Sequence, residues 1–363
     1  MKRITIKVGT KVLTNEDNRI DQKIIRNLSN QLADLMDKKI EVVLVSSGAI
    51  GAGLGLLSVK KRGRSLSELQ AIASIGQNHL MEIYNRYLAK RGYIAGQVLL
   101  TQEDFNHRRR FLNIRHTVNS LLKYKAIPVI NENDSVSTSE IKCGDNDRLS
   151  SLVADLTGSD MFIVLTDVEG VYDDKAKLIS QVENLEKVIK KLKSFCSGKG
   201  SEESTGGMRT KIDAVRNAAN SGIKSVIAYG RRKNVLNDIV SGKRVGTRFE
   251  SAKKTLKARK RWIAFSIKAK GKIIVDKGAE KALVDNKKSL LPSGILQIEG
   301  KFSEGDVVEI FTTNKKIIAR GLSNYSSEEI KKIRGKKSGE IEAELGYKDY
   351  DEIVHRDNLV IVE

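Results

Sequence analysis

The sequence has 363 residues, of which 40% are hydrophobic, and its 65 Lys and Arg against 45 Asp and Glu give a formal net charge of +20. This length exceeds the usual size of one domain, so we expect two domains. The two cysteines, Cys143 and Cys196, form no metal or redox motif, and such sparse usage fits a reducing cytoplasm. The initial MKRITIKVG is a strand pattern and not a secretory signal, and no apolar run approaches the ~20 residues that span a bilayer. We therefore expect a cytoplasmic protein without a membrane partner.

The excess of positive charge is spread along the chain and is not gathered in a tail. A phosphate-bearing substrate, a nucleic acid partner or a lysine-rich proteome would each produce it. Because the lysines mostly fall on the polar faces of predicted helices, a general bias in composition is the favoured explanation.

The first part of the chain alternates predicted strands with predicted helices. Short apolar runs predict buried strands, and apolar residues three and four positions apart predict helices. The predicted strands are 3–8, 41–45, 93–100, 127–130, 161–165 and 224–228, and the predicted helices are 20–37, 65–90, 111–122, 182–195 and 208–221. This order predicts an α/β domain over residues 1–250, with a mainly parallel sheet and helices on both faces.

The composition changes near residue 250. A basic stretch with few apolar residues follows, and we place a linker over residues 251–268. Beyond it, short strands at 272–275, 294–298, 306–311 and 316–319 and helices near 278–284 and 326–333 predict a small β-rich domain. We place this second domain over residues 269–352 and a C-terminal tail over residues 353–363.

Four carboxylates follow the predicted strand that ends at Ile130, namely those of Glu132, Asp134, Asp145 and Asp147. Like charges so close together repel one another, so the arrangement is costly without a cation or a positive ligand group. A solvated polar loop is the commonest structure for such a composition. Position favours a function, because ligands bind beyond the carboxyl ends of strands in open α/β sheets.

Several standard sites are excluded. No Gly-Lys pair is followed by Ser or Thr, the glycines at 48, 51, 53 and 55 lack the dinucleotide spacing, the four histidines lack zinc spacing, and no Gly-x-Ser-x-Gly occurs. Three candidate features are left after these exclusions. They are Lys7 just before Gly9, the glycine-rich turn 48–55 after the second strand, and a predicted loop at 205–211 that opens a helix. Backbone N–H groups at such turns bind anions. With the acidic stretch, these features predict phosphoryl transfer, in which Mg²⁺ and cationic side chains hold the phosphates.

The chain resembles the glutamate 5-kinases of the amino acid kinase family. Six segments carry the resemblance in the family's order: IKVGT (6–10), VSSGAIGAG (45–53), PVINEND (128–134), IKCGDND (141–147), LTD (165–167) and TGGMRTK (205–211). Three C-terminal segments resemble the PUA domain appended to many bacterial members: VDKGAEKAL (275–283), SLLPSGI (289–295) and GKFSEGDVV (300–308). The resemblance implies the amino acid kinase fold followed by a small β-rich PUA-like domain.

The resemblance implies ATP-dependent phosphorylation of the L-glutamate γ-carboxylate to L-glutamyl 5-phosphate, the first step of proline biosynthesis. It makes Lys7, Lys211 and Asp147 catalytic, with the two lysines on the transferring phosphoryl group and Asp147 orienting them. It places glutamate on Ser47, Asp134 and Asn146. It places ATP on Lys7, Thr166, Asp167, Thr205, Gly206, Gly207, Met208, Arg209, Thr210 and Lys211.

The same resemblance implies ATP and Mg²⁺ as cofactors, with the metal ligands unassigned. Relatives form dimers or tetramers, so we expect a homo-oligomer, and proline, which inhibits many relatives, is a candidate feedback inhibitor. Arg209 stands where a small Ser is usual; it either adds a phosphate contact or points to solvent, and we expect the second. The segment 172–179 lacks the family's proline-containing stretch, which leaves the nucleotide rim open.

The sequence leaves two alternative functions open. Another amino acid kinase, acting on aspartate, acetylglutamate or carbamate, is disfavoured by the single glycine of KVGT and by the PUA-like tail. An RNA-binding or RNA-modifying protein is the other alternative, since PUA modules commonly bind RNA. Phosphate contacts need a surplus of Lys and Arg on one face, and the charge of the tail is nearly balanced, so we expect no RNA partner.

Overall fold

The computed structural model describes residues 1–59, 65–106, 108–136, 145–173, 175–182, 202–251 and 269–362. The chain divides into two compact units, Met1–Thr255 and Leu256–Glu363. Residues 252–268 of the predicted linker, and most of the predicted helix 182–195, lie outside the described residues. Within the described ranges, no helix is long and apolar enough to cross a membrane.

The first unit is built on an eight-stranded sheet. Its strands are β1 (Arg3–Val8), β2 (Glu41–Ser46), β3 (Ala95–Leu100), β4 (Ile127–Glu132), β5 (Met161–Thr166), β6 (Gln181–Val182), β7 (Lys224–Tyr229) and β8 (Thr247–Phe249). Its helices are α1 (Thr10–Leu13), α2 (Gln22–Asp37), α3 (Ala49–Leu57), α4 (Leu66–Ala89), α5 (Arg108–Lys123), α6 (Asp145–Thr157), α7 (Glu202–Asn220) and α8 (Val235–Val240). The strand order is β3-β4-β2-β1-β5-β7-β8-β6, and only the β7–β8 pairing is antiparallel among these strands. The predicted mainly parallel α/β sheet is confirmed.

Helices cover both faces of this sheet, as predicted. Successive side chains of a strand point to opposite faces. On β5, Ile163 and Leu165 belong to a core shared with α2, α4 and α8, whereas Phe162 and Val164 belong to a core shared with α6 and α7. The continuous apolar strands noted in the sequence are therefore buried on both faces, as parallel strands usually are.

The carboxyl ends of the central strands lie at one edge of the sheet. Val8 at the end of β1 is in register with Ser46 of β2 on one side and with Leu165 of β5 on the other. Gly9 and Ser47, which follow β1 and β2, and Thr166, the last residue of β5, therefore lie at the same edge. Ligands bind at such an edge, where the strand order turns from one direction to the other.

The second unit contains a five-stranded sheet with the order β10-β9-β11-β12-β13. Its strands are β9 (Gly271–Val275), β10 (Ile295–Glu299), β11 (Val307–Thr312), β12 (Ile317–Leu322) and β13 (Leu359–Ile361), and its helices are α9 (Lys277–Val284), α10 (Ser327–Ile333) and α11 (Ile341–Leu345). The predicted β-rich domain is confirmed. β13 pairs with β12, and Ile353 and Val354 are buried in the core of the unit, so residues 353–362 belong to this unit and not to a separate tail.

Candidate functional site

A buried cluster of charged side chains lies at the carboxyl edge of the larger sheet. The Nζ atom of Lys7 on β1 is 2.5 Å from Oδ1 of Asp147 on α6, and Nζ of Lys211 on α7 is 3.5 Å from Oδ2. Thr210 Oγ1 donates a hydrogen bond of 2.7 Å to the same Oδ2 atom. Only 1% of the Asp147 side chain, 6% of that of Lys7 and 13% of that of Lys211 is exposed. The structure thus brings together the three residues predicted as catalytic.

Asp147 holds its negative charge in this cluster. Burial raises the pKa of its carboxyl, but the ammonium groups of Lys7 and Lys211 and the hydrogen bond from Thr210 outweigh burial and lower the pKa below its ordinary value. One carboxylate between two ammonium groups leaves a positive charge in excess. A buried site with such an excess is suited to an anion, and a phosphoryl group is an anion of the right size and charge.

The prediction of a glycine loop that opens a helix near residue 208 is wrong in where the helix begins, because α7 begins at Glu202 and already contains residues 205–207. Ile212 and Val215 of α7 are buried and Met208 packs against the same core, a helical spacing that holds this face onto the sheet. Lys211 Nζ donates to the carbonyl oxygen of Gly207 at 2.9 Å, and Thr210 Oγ1 lies 3.0 Å from the same oxygen. A helix, and not a loop, therefore aims Lys211 at Asp147.

Among the other residues of 205–211, the surroundings of only some are described. The burial and contacts of Thr205 and Gly206 lie outside what is described. Arg209 is exposed, which agrees with the expectation that it points to solvent.

A second group of side chains adjoins the charged cluster through α6. Asn146 directly precedes Asp147, and its Nδ2 atom donates to Ser47 Oγ at 3.0 Å and to Asn131 Oδ1 at 3.1 Å. The Oδ1 atom of Asn146 is buried and has no hydrogen-bond partner among the described residues. A buried acceptor of this kind requires a donor from outside the described residues, and a ligand or a water molecule would supply one.

An amide network that the sequence did not reveal supports this group. Asn131 Nδ2 donates to Gln77 Oε1 at 2.9 Å, and Gln77 Nε2 donates to Gln97 Oε1 at 3.2 Å. Gln77 and Asn131 are buried, so these hydrogen bonds are shielded from water. Asn131 lies within the segment PVINEND, which the sequence singled out. Gln77 and Gln97 belong to no sequence motif, so nothing in the sequence marked them as part of the site.

The predicted acidic residues do not share one loop. Glu132 is the last residue of β4 and, with Asp134, lines a cavity of about 190 Å³ beside Gln77 and Gln97, whereas Asp147 faces the two lysines. The segment 137–144 and the side chain of Asp145 lie outside the description. Among the residues that are described, no three His, Cys, Asp or Glu side chains converge as metal ligands.

Thr166 is the last residue of β5, and Asp167 follows it at the same edge. Thr166 Oγ1 donates to Asp167 Oδ1 at 3.0 Å, and Lys11 Nζ lies 3.5 Å from Asp167 Oδ2. Burial raises the pKa of the Asp167 carboxyl, but hydrogen bonds from Thr166 and its own backbone and the Lys11 charge lower it overall. Lys11 was not predicted as part of this site.

The glycines after β2 have two different roles. Gly48 caps α3 with φ +104°, a conformation that favours glycine. Gly53 and Gly76 instead allow α3 and α4 to touch, because a Cβ atom at either position would lie about 2 Å from a backbone oxygen of the other helix, 2.1 and 1.9 Å respectively. The sequence pattern was interpreted as one anion-binding turn, and only its first glycine lies in the turn.

Comparisons with known proteins match both units. A model described as the amino acid kinase family matches residues 2–229, and one described as the PUA domain matches residues 271–345. Proteins named glutamate 5-kinase from Thermoanaerobacter sp. (strain X514) and from Caldanaerobacter subterraneus subsp. tengcongensis are each 48% identical over 364 residues, covering 99% of this chain and 98% of the relative. Among solved structures, a carbamate kinase from Giardia has a TM-score of 0.48 at 17% identity and covers 69% of this chain and 99% of that one, a similarity too remote to bear on the substrate.

Proposed function

The chain belongs to the amino acid kinase family, and from this premise we propose that it phosphorylates the γ-carboxylate of L-glutamate with ATP, giving L-glutamyl 5-phosphate and ADP. The observation that carries the proposal is the buried pairing of Lys7 and Lys211 with Asp147, directly beside the Ser47–Asn146 contact. The name of the relatives implies that this reaction is the first step of proline biosynthesis.

The nucleophile of this reaction needs no general base. A γ-carboxyl group has an ordinary pKa of about 4.3, so it is already a carboxylate at neutral pH. One of its oxygens attacks the γ-phosphorus of ATP, a new O–P bond forms, and the bond to the β-phosphate oxygen breaks as ADP leaves. The absence of a histidine from the charged cluster described above is consistent with this chemistry.

The difficulty lies in the repulsion between the substrate carboxylate and the phosphates. Two ammonium groups fixed in a buried site act in a medium of low dielectric constant, where they stabilise negative charge more strongly than in water. Asp147 holds both ammonium groups in place without cancelling their charge, since it contributes one negative charge against two positive ones. We assign Lys7 and Lys211 to the transferring phosphoryl group and Asp147 to their orientation.

The neighbouring group is suited to a zwitterionic amino acid. The Asn146 Oδ1 atom is a buried acceptor, and Asp134 adds a carboxylate to the cavity, so both would attract an ammonium group. Ser47 and the first turn of α3 present a hydroxyl and backbone N–H groups, which bind carboxylate oxygens. We assign Ser47, Asp134 and Asn146 to glutamate.

We assign ATP to the side of Lys7 and Lys211 opposite the residues assigned to glutamate. Thr166 and Asp167 lie at the carboxyl end of β5, which pairs with the strand that carries Lys7, and Thr210 and Lys211 of α7 contact Asp147. The described residues offer no cluster that would hold Mg²⁺ by protein ligands alone. Mg²⁺ commonly binds through substrate phosphates and only one or two carboxylates, so we propose that it is carried on the phosphates of ATP.

A panel of acceptors tests the proposal. ADP release by the purified protein is measured with ATP and, in turn, glutamate, aspartate, N-acetylglutamate and carbamate. We expect glutamate to give the highest kcat/KM by a wide margin. A preference for another acceptor would retain a kinase and refute the substrate, whereas no acceptor-dependent ADP release would refute the activity.

Three further properties are proposed with the activity and rest on the family resemblance and composition of the sequence. They are a homo-oligomeric state, inhibition by proline and a cytoplasmic location where ATP and glutamate are supplied. Size-exclusion chromatography with light scattering checks the first, and the kinase assay in the presence of proline checks the second.

A further inference from the structure

Tyr84 carries a buried hydroxyl group that the proposed reaction does not use. The residue lies on α4 in the core shared with α2 and α8, and its side chain is fully buried. Its hydroxyl is 2.9 Å from the Oγ atom of Ser46, the last residue of β2. Burial raises the pKa of the Tyr84 hydroxyl, and the Ser46 contact reduces that rise only in part. The hydroxyl therefore keeps its proton and acts as a donor.

The direction of the hydrogen bonds follows from the number of protons. Ser46 Oγ donates to the carbonyl oxygen of Ser47 at 3.0 Å. A serine hydroxyl has one proton to give, so Tyr84 must be the donor in its contact with Ser46. The result is a relay in which Tyr84 donates to Ser46 and Ser46 donates to the Ser47 carbonyl.

This relay fixes the orientation of the peptide between Ser47 and Gly48. Ser46 lies on the same face of β2 as Val42 and Leu44, which pack in the core that contains Tyr84. The Ser47 carbonyl is therefore held toward that face. In a trans peptide the N–H points away from the C=O, so the Gly48 N–H is directed to the opposite face.

The opposite face is the one that carries the charged cluster. Lys7 alternates with Ile6 and Val8 of β1, which belong to the Tyr84 core, so the Lys7 side chain projects to the other side. Glycine at position 48 makes rotation of this peptide inexpensive, because Gly adopts positive and negative φ about equally well. The hydrogen bond from Ser46 to the Ser47 carbonyl then selects one orientation of the Ser47–Gly48 peptide.

We propose that Tyr84 and Ser46 are positioning residues that keep the Gly48 N–H directed at the reaction centre. This inference rests on the proposed function, in which an anionic group is transferred beside Lys7. A backbone donor aimed at developing negative charge accelerates such a step because it is already oriented when the charge forms. Tyr84 acts through Ser46 and touches no reacting atom.

Three variants and one control test the relay. Tyr84→Phe, Ser46→Ala and the double variant each remove a different part of the relay. The control is Tyr87→Phe, on the same helix. It removes a hydroxyl whose contact, 3.4 Å to Gln22 Oε1, is exposed. We expect Tyr84→Phe and Ser46→Ala each to lower kcat about 10-fold, less than the roughly 10²–10³ that follows complete removal of such a donor. The KM for ATP should stay nearly unchanged.

The double variant separates a relay from two independent defects. Residues that act through one another give non-additive effects, so the double variant should be no slower than the slower single variant. Multiplied effects, a kcat within twofold of wild type in Ser46→Ala, or an equal loss in Tyr87→Phe would each overturn the inference. Ser46→Ala keeps the test decisive if Tyr84→Phe does not fold. A wild-type protein without glutamate-dependent ADP release would overturn the proposed function itself.

Discussion

The ammonium nitrogen of Lys7 lies 2.5 Å from Oδ1 of Asp147, and both side chains are almost fully buried. A charge pair in this position is stable only while both partners are present, because each would otherwise be a lone charge out of water. Lys7 comes from the central strand and Asp147 from the first turn of α6, so the pair joins the sheet to the helix that also carries Asn146. Stability and chemistry therefore depend on the same atoms.

Asp147→Asn should impair both folding stability and turnover. The change leaves Lys7 and Lys211 without their counter-charge, and breaking a buried pair in this way commonly costs about 3–5 kcal/mol. We expect a lower free energy of unfolding in a urea titration and a kcat reduced by about 10²-fold or more. Glu82→Gln, which removes an exposed carboxylate paired with Arg86, is the control and should change neither quantity much. An Asp147→Asn variant of normal stability would contradict the ion pair.

The stability contributed by Asp147 should depend on pH in one direction. Its carboxyl pKa is lower in the folded protein than the ordinary value of 3.8, so the unfolded chain binds the proton more readily. The contribution is then complete above the unfolded pKa and is lost as pH falls through the folded pKa. The difference in unfolding free energy between wild type and Asp147→Asn should be constant from pH 7 to about pH 5 and should shrink below pH 3.8. A difference that shrinks already between pH 7 and pH 5 would contradict the lowered pKa.

Lys211→Met should slow the reaction far more than it weakens substrate binding. The Lys211 charge matters most while the phosphoryl group is in transfer, and removing one such contact typically lowers the rate by about 10²–10³-fold. The measurement is kcat and both KM values under saturating co-substrate. Lys224→Met serves as the control, since Lys224 forms an exposed pair with Glu250. Near-normal turnover in Lys211→Met would remove Lys211 from the catalytic residues.

Asp134→Ala should weaken glutamate binding and leave ATP binding nearly unchanged. Asp134 lines the cavity beside Gln77 and comes after β4, whereas Asp167 follows β5, and β2 and β1 lie between these two strands in the sheet. Loss of a charged partner for a bound group commonly costs about 2–5 kcal/mol. Isothermal titration with each substrate separately gives both constants, and Glu103→Ala, which removes an exposed carboxylate, is the control. A change in the ATP constant instead would move Asp134 to the nucleotide side.

A chain that ends at Thr255 should fold and phosphorylate glutamate. All proposed site residues lie in the unit Met1–Thr255, and this unit has cores of its own. We expect activity within about tenfold of the full chain, because ~1.4 kcal/mol is the largest indirect support we assign to the second unit. A folded truncation that binds both substrates without turnover would show that the second unit helps to assemble the site.

The sequence predicted the sheet well because buried parallel strands have a local signature. The runs at β2 and β5 are apolar except at their ends, β1 alternates apolar with polar or charged residues, and the predicted bounds differ from the observed ones by a residue or less. Resemblance to the family supplied Lys7, Asp147 and Lys211 and the expectation that Asp147 orients both lysines, but not the distances between them. Nothing in local spacing predicts that a carboxylate on α6 meets a lysine on β1 and another on α7.

Two errors have physical causes that the sequence hides. Gly206 and Gly207 suggested a loop, yet Met208, Ile212 and Val215 bury one face of α7 and tertiary packing outweighs glycine's low helix propensity. The amide network through Gln77, Asn131 and Asn146 was missed because its members are brought together only by the fold.

Trapping of the phosphorylated product tests the proposed chemistry most directly. An acyl phosphate reacts with hydroxylamine to give a hydroxamate, whereas a phosphate ester or ATP hydrolysis gives none. With ATP, glutamate and hydroxylamine, we expect the wild-type protein to form γ-glutamyl hydroxamate in step with ADP, and Lys211→Met to lower both rates together by about 10²–10³-fold. ADP release without hydroxamate, or hydroxamate formation that Lys211→Met leaves unchanged, would contradict transfer to the γ-carboxylate at the Lys7–Asp147–Lys211 cluster.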